Sequence, residues 1–291
     1  MKKLPLLLTA LLLTALSCNK IDTSREVFEI IPPIEVSAWD PDYAATVIRK
    51  IYVEEFTGHR CTYCPAGAKI LKEIMDEDPT VIATAVHCSM LADPTNNPLF
   101  KNNFKTPMGD KISADFNIEG LPKAMVNRKK TETNQYGIDR NKWRSAVSEV
   151  DRTDIPAGIE MFCRVDSLKK EIEAQVMVTI IKEIINPVQL CLILQQDGIV
   201  SGQIDGNTTI EDYEHNHVLR AGFKGNYGTK LTTDGLVTAQ TKYTTTLKLS
   251  YSNGFPYGEN LAVLPNQCSV VAYLIDMETK EVLQVEIKGL E

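Results

Sequence analysis

Two cysteines, Cys61 and Cys64, have the spacing best suited to covalent chemistry in this sequence. A pair separated by two residues can close a short disulfide and reopen it, which is the chemistry of thiol–disulfide exchange. An apolar, β-branched strand is predicted over 47–56, and a glycine turn and then apolar residues at helical spacing follow it. Pro65 fits the first turn of that helix, where its missing amide proton would have no partner. We therefore expect Cys61 at a helix N-terminus, whose outward-pointing amides stabilise a thiolate.

This order of strand, turn, cysteine pair and helix resembles the thioredoxin superfamily. A second segment, 118–128, resembles the glycine–hydrophobic–cis-proline–strand piece that packs against the cysteines in that family, with Pro122 as its proline. Glu55 lies six positions before Cys61 and matches the place of a carboxylate buried beneath the disulfide. The resemblance implies that Cys61 attacks, Cys64 resolves the mixed disulfide, Glu55 accepts a proton and Pro122 pairs with the substrate backbone.

The chain departs from the thioredoxin pattern at two positions, because Thr57 and Arg60 stand where tryptophans are usual. Other readings of the pair remain open: it is a structural disulfide in a fold without activity, or a metal site completed by His59 and His87. We expect those two histidines at the surface or at strand ends.

Two of the implied roles have alternatives. Glu55 points to solvent if Glu54 is the buried carboxylate, because neighbouring strand residues face opposite sides. The alternative for Pro122 is an ordinary trans proline that opens an edge strand.

His215 and His217 would face the same side of an extended chain, as a two-histidine metal site requires. No third ligand follows at an obvious spacing. We therefore expect a loop in which these histidines and Arg220 form hydrogen bonds with the backbone or with the other domain, and we predict neither a metal nor a cofactor for the chain.

Composition narrows the class of protein. The 291 residues carry a formal charge of −7, and no long run of lysine or arginine competes with this acidic balance, so a nucleic-acid partner is not expected. Residues 1–18 combine an N-terminal positive charge with a short apolar stretch, as in a signal peptide. The sequence Ala15-Leu-Ser-Cys18 resembles a bacterial lipoprotein cleavage box, which implies that Cys18 is acylated, with palmitate among the expected chains. Lipid at Cys18 would hold the folded part to a membrane.

Removing Cys18 from the seven cysteines leaves six, of which Cys61 and Cys64 form the local pair. The others lie on predicted strands, where single cysteines are more often small buried residues than members of disulfides. They are Cys88, Cys163, Cys191 and Cys268.

The periodicity divides the chain into a tether at 19–43, an α/β thioredoxin-like domain at 44–154 and an all-β sandwich at 155–291. In the first domain, helices are predicted over 109–116 and 139–150. In the second, strands are predicted over 159–165, 171–180, 188–195, 242–251, 268–275 and 282–287. The glycine-bearing segment 198–235 is predicted to be an irregular loop.

Taken together, the chain resembles the family of outer-membrane-protein-28-related lipoproteins of Gram-negative bacteria. The residues that carry this resemblance are the cysteine motif at 56–65 and the segment Glu214-His-Asn-His-Val-Leu-Arg220. The family implies an immunoglobulin-like second domain and a lipid-anchored location at the outer membrane, on its periplasmic or cell-surface side. Two functions stay open: an enzyme that exchanges thiols and disulfides of envelope proteins, or a binding or adhesion lipoprotein that uses the thioredoxin fold as a scaffold.

Overall fold

The computed structural model describes residues 34–251 and 261–290 of the chain. The predicted signal peptide at 1–18, the lipidation site Cys18 and most of the tether lie outside the described residues. No helix among the residues described has the length and apolar character needed to cross a membrane.

The described chain is mostly β-sheet with few helices. The α-helices are α1 (Pro41–Thr46), α2 (Cys64–Glu77), α3 (Pro107–Asp115) and α4 (Trp143–Ser148). Short 3₁₀ helices occupy Met90–Ala92, Pro98–Phe100, Arg140–Lys142 and Pro265–Gln267. The strands are β1 (Ile34–Ala38), β2 (Ile51–Thr57), β3 (Val81–His87), β4 (Lys123–Val126), β5 (Ile138–Asp139), β6 (Ala157–Asp166), β7 (Glu171–Ile180), β8 (Val188–Gln196), β9 (Ile199–Asp205), β10 (Thr208–His215), β11 (Val218–Gly222), β12 (Thr229–Lys230), β13 (Thr241–Ser250), β14 (Cys268–Asp276) and β15 (Val282–Gly289).

One mixed sheet of the described chain contains nine strands in the order β15–β14–β8–β11–β3–β2–β4–β5, with β12 also paired to β8. It joins strands from both segments that the sequence divides at residue 154, through the parallel pair β11–β3. A second sheet has the order β1–β13–β7–β6, so part of the predicted tether pairs in register with β13. The hairpin β9–β10 forms a separate two-stranded ribbon.

The middle strands of the large sheet are buried on both faces. In β8, Leu190 and Leu192 contact the core beneath the four-stranded sheet, whereas Cys191 and Ile193 belong to the core on the other face. Strand β14 alternates in the same way. This double burial explains why both strands are nearly continuous apolar runs in the sequence.

Three strands and two helices hold the cysteine pair in position. Strands β2 and β3 are parallel and are connected through α2, while β4 pairs antiparallel with β2. Apolar residues of α2, such as Leu71 and Ile74, pack with Trp143 of α4 against one face of these strands. The end of β2 and the start of α2 are therefore fixed by buried contacts.

The prediction of an irregular loop at 198–235 is wrong, because this segment contains β9, β10, β11 and β12. Gly206 has φ +58 in the turn between β9 and β10 and follows Asp205, a dipeptide that favours tight hairpins. The mostly polar β10 lacks the apolar alternation of a half-buried strand, so hydrophobic periodicity did not reveal it. The helix predicted over 139–150 is shorter than expected, since a 3₁₀ turn precedes α4.

Candidate functional site

The cysteine pair lies in the tight turn between β2 and α2, as the spacing predicts. Cys61 and Cys64 form a disulfide with their Cα atoms 5.4 Å apart. The Cys61 amide donates to the Gly58 carbonyl at 2.9 Å, and α2 begins at Cys64 with Pro65 in its first turn. The pair is thus held at the N-terminal end of a 14-residue helix.

Both cysteines are buried, with only 2% of each residue exposed. The cover is the lid hairpin, which we define as residues 199–215. Main-chain amides of Ile204 and Gly206 donate to the carbonyls of His59 and Thr62 at 2.9 and 3.0 Å. The lid hairpin therefore pairs with the backbone of the cysteine turn itself.

One side chain of the lid hairpin reinforces this closure. The buried Gln203 amide nitrogen lies 3.1 Å from the Cys61 carbonyl, 3.4 Å from the Gly58 carbonyl and 2.9 Å from the carbonyl of Ile204 in its own strand. Gln203 was not identified from the sequence. The Asp205-Gly206 turn was the available signal that a hairpin, and hence a covering element, occurs here.

Glu55 is buried near the end of β2, with 4% of its surface exposed. Its Oε1 atom has no hydrogen-bond partner among the described residues, and burial raises the pKa of the carboxyl group to about 8. It lines a groove of about 790 Å³ between α2 and the lid hairpin, together with Pro65 and Tyr213. Glu54 is buried as well, but it points to another partner, Arg128. Both carboxylates are thus buried, contrary to the alternative that only one of them is, and they differ in their contacts: Glu54 is paired and Glu55 is not.

Pro122 follows a cis peptide bond, as the resemblance implies and contrary to the trans alternative. It is buried at the start of β4 and lies against the first turns of α2. A Cβ atom added at Gly67 would lie 3.1 Å from the Pro122 ring, so the two backbones approach closely at this point.

The expectation that His59 and His87 lie at the surface or at strand ends is wrong with respect to exposure. His87 ends β3, but both residues are buried, and with His215 of the lid hairpin they form what we call the histidine cluster. The Phe104 ring lies 5.4, 4.6 and 4.7 Å from the rings of His59, His87 and His215. Burial lowers the pKa of His59 to about 4 and that of His215 to about 3, and it holds the pKa of His87 well below its ordinary value.

The two histidines of the 214–220 segment, His215 and His217, have separate contacts and do not form a two-histidine site. His217 lies beyond the end of β10 and has φ +57, so the chain is not extended from His215 to His217, and its Nδ1 atom lies 3.1 Å from Asp197. Arg220 donates to the Leu261 carbonyl at 2.9 Å and to the Gln196 side chain at 2.5 Å, in line with the structural role expected for it. In the described part of the chain, no group of three or more histidine, cysteine, aspartate or glutamate residues is placed to hold a metal ion.

The other cysteines in the described part of the chain are free thiols. Cys88, Cys191 and Cys268 are buried and Cys163 is half-buried, as expected for small apolar residues on strands. Burial raises the pKa of each of these thiols, to about 11 for Cys163 and Cys191. They are poor nucleophiles in this state, which leaves the pair in the turn as the site of any cysteine chemistry.

Comparison with known proteins identifies a family for most of the chain, but not for the segment that carries the cysteine pair. The model of the family "Outer membrane protein Omp28" matches residues 109–291. The structure of HBP35 of Porphyromonas gingivalis is similar over 84% of this chain and 76% of its own, with a TM-score of 0.61 and 17% identity. A domain of the outer membrane lipoprotein Omp28 from Porphyromonas gingivalis matches 47% of this chain and 88% of its own, with a TM-score of 0.32 and 17% identity.

At these identities the structural likeness to HBP35 concerns the fold alone. No curated protein matches the chain in a search of their sequences. The family model covers more than half of the 291 residues, and its description confirms the outer-membrane location expected from the sequence. This chain belongs to the Omp28 family of outer membrane proteins.

Proposed function

We propose that the protein is a lipid-anchored thiol–disulfide exchange protein of the outer membrane, in which the lid hairpin controls access to the Cys61–Cys64 pair. The observation that carries this proposal is the buried, unpaired Glu55 on the strand that leads into the cysteine turn, with a pKa raised to about 8. A buried carboxyl group without a partner is costly for stability, and such groups are concentrated at functional sites.

The surrounding elements support a thioredoxin-like assignment for this part of the chain. The parallel β2–α2–β3 unit, the antiparallel β4 and the cis Pro122 beside the start of α2 are the pieces that the resemblance requires. The four-stranded sheet that packs over β8 and β14 supports an immunoglobulin-like sandwich for the second segment. Acylation of Cys18, which lies outside the described residues, is the membrane anchor in this proposal.

The proposed reaction starts from the disulfide state. A substrate thiolate attacks the Cys61 sulfur, the Cys61–Cys64 bond breaks, and Cys64 leaves as a thiolate that takes the proton of Glu55. The second substrate thiolate then attacks the substrate sulfur of the mixed disulfide and releases Cys61 as a thiolate. The substrate dithiol is oxidised to a disulfide and the pair is reduced by the same two electrons. The reverse sequence reduces a substrate disulfide, with Cys61 as the nucleophile and Glu55 as the proton acceptor.

Glu55 fits this role because its pKa of about 8 keeps it largely protonated at neutral pH yet able to lose the proton. The groove that Glu55 lines provides a route from the carboxyl group to solvent. Proton exchange with water therefore does not require the lid hairpin to open.

A second function is favoured by one specific observation, the burial of Cys61 beneath the lid hairpin. In that case the disulfide is a permanent cross-link between β2 and α2, and the protein acts as a binding or adhesion lipoprotein through its β-rich segment. Exchange catalysts need a reachable nucleophile, so this candidate predicts a hairpin that stays closed.

An assay of insulin disulfide reduction by the full-length protein distinguishes the exchange function from the binding function. If the pair is catalytic, Cys61→Ser abolishes the activity, while the matched variant Cys163→Ser retains it because Cys163 lies on β6, away from the turn. Absence of activity in the unmodified protein, or equal activity of both variants, overturns the exchange proposal and leaves the binding function.

A further inference from the structure

A second cavity lies at the other side of β2, between the end of α3 and the turn that joins β14 to β15. Its volume is about 420 Å³, within the range of small-molecule sites. Three aromatic rings line it, those of Phe116, Tyr136 and Tyr227, and Ile275 and Met277 add apolar surface. Aromatic and apolar side chains thus make up most of the lining of this cavity.

A buried cation forms one wall of this cavity. Arg128 is 1% exposed, and its Nε and Nη2 atoms each donate to Glu54 at 2.7 Å. Nη2 also donates to the Tyr273 hydroxyl group at 3.1 Å. Nη1, in contrast, is buried and has no acceptor among the described residues. An unpaired N–H group of a guanidinium is costly to bury, because it loses its hydrogen bonds to water without replacement.

The guanidinium group also contacts the aromatic walls. Its central carbon lies 5.1 Å from the centre of the Phe116 ring and 6.0 Å from that of Tyr227. The guanidinium group that carries the unpaired N–H therefore lies within cation–π distance of two rings that line the cavity.

The charges around the cavity favour an anion. Glu54 balances Arg128, while Lys280 lines the cavity and Lys130 lies 5.3 Å above the Tyr136 ring. Two acidic residues oppose them: Asp115 is engaged by Lys111 and by the Tyr227 hydroxyl, and Glu281 raises the pKa of Tyr136 after the larger effect of burial. Glu281 offsets one of the two remaining lysines, so one positive charge is left in excess.

We infer that this cavity binds a small aromatic carboxylate. The carboxylate oxygen accepts a hydrogen bond from Nη1 of Arg128, and the ring packs against Phe116 and Tyr227. A carboxylate fits better than an amine because Arg128 presents only donors and because Lys280 adds positive charge at the wall. This site is independent of the cysteine pair and does not rest on the proposed exchange activity.

The test is calorimetric titration of the full-length protein with 2-naphthoate and, as the cation of matched size, 2-naphthylmethylamine. A ligand of this size is expected to bind with a dissociation constant of about 0.1–1 mM. The amine should bind at least about tenfold more weakly. Equal affinity for the two probes, or no binding of naphthoate at about 10 mM, overturns the inference.

Two variants locate the binding. Arg128→Lys keeps a cation for Glu54 but removes Nη1, so naphthoate affinity should fall at least about tenfold. Lys280→Glu reverses a charge at the partly exposed wall and should weaken naphthoate about fivefold or more, whereas Lys169→Glu, on a distant turn, should not. If Arg128→Lys does not fold, the two lysine variants provide the test. Equal naphthoate affinities of the Lys280→Glu and Lys169→Glu proteins contradict the site.

Discussion

Replacing Gln203 by alanine should open the lid hairpin without unfolding the protein. Two main-chain hydrogen bonds from Ile204 and Gly206 still join the hairpin to the cysteine turn in this variant. What is lost is the side-chain amide that lies within reach of the Cys61 and Gly58 carbonyls at 3.1 and 3.4 Å. The substitution therefore acts on the closure of the lid hairpin directly above the disulfide.

The magnitude follows from the bonds that cross between the two elements. An amide group has two hydrogens, and one of them is used by the carbonyl of Ile204 within the lid hairpin itself. About one buried hydrogen bond to the turn is then lost, which costs about 1–3 kcal/mol when the acceptor is left unpaired. The open population should rise by about 5- to 150-fold, because 1.4 kcal/mol corresponds to a factor of ten.

The assay is the rate at which tris(2-carboxyethyl)phosphine reduces the Cys61–Cys64 disulfide in the folded protein, with the new thiols trapped by maleimide and counted by mass. If opening is fast, the rate follows the open population and should rise by the same factor. Gln175→Ala is the matched control, since this glutamine is exposed on β7 of the other sheet. A rate that stays within about twofold of the unmodified protein, in a variant shown to be folded, refutes the reasoning.

Three further predictions concern buried charge. Glu55→Gln should remove the inflection near pH 8 from the pH profile of disulfide exchange, because the group with a pKa of about 8 is gone; a profile identical to that of the unmodified protein contradicts the proton role. The second prediction concerns the pH dependence of stability. The pKa values of the histidine cluster are lowered in the folded protein, so below about pH 6.5 the unfolded chain binds more protons than the folded one, and the free energy of unfolding falls as the pH is lowered. Glu55 has a raised pKa, so its contribution is lost as the pH rises from about 4.5 to about 8. Urea unfolding should therefore show a stability maximum near about pH 7 and a loss of about 3 kcal/mol at about pH 5, whereas equal or greater stability at the lower pH contradicts the burial of the cluster. Arg128→Met should destabilise the protein by about 3–5 kcal/mol in urea unfolding, because it leaves Glu54 buried without its cation; a loss under about 1 kcal/mol shows that the pair is not buried in solution.

Local patterns were sufficient to predict the parts of the site that are close in sequence. The β2 strand, the turn with Cys61 and Cys64, and the start of α2 follow from apolar spacing and from Pro65. The strands of the second segment follow from alternation of period two, for example in β7, where Ile172 and Val176 are buried and Gln175 is exposed. Burial of three of the four separate cysteines follows from the ordinary preference of that residue type, and the fourth, Cys163, is half-buried.

The long-range parts of the site could not be predicted in this way. Gln203 lies 142 positions after Cys61, and its position above the disulfide depends on tertiary packing of a polar hairpin. The ion pair between Glu54 and Arg128 spans 74 positions. Glutamate and arginine are residue types that usually lie at the solvated surface, and only the fold shows that Glu54 and Arg128 are buried.

The reduction potential of the Cys61–Cys64 pair tests the central proposal most directly. The full-length protein is equilibrated with glutathione buffers, and free thiols are counted after trapping. Exchange chemistry predicts a potential between about −120 and −270 mV, the range of known exchange catalysts. A potential below about −300 mV, or a disulfide that resists reduction while the protein stays folded, would identify a structural cross-link and contradict the proposal.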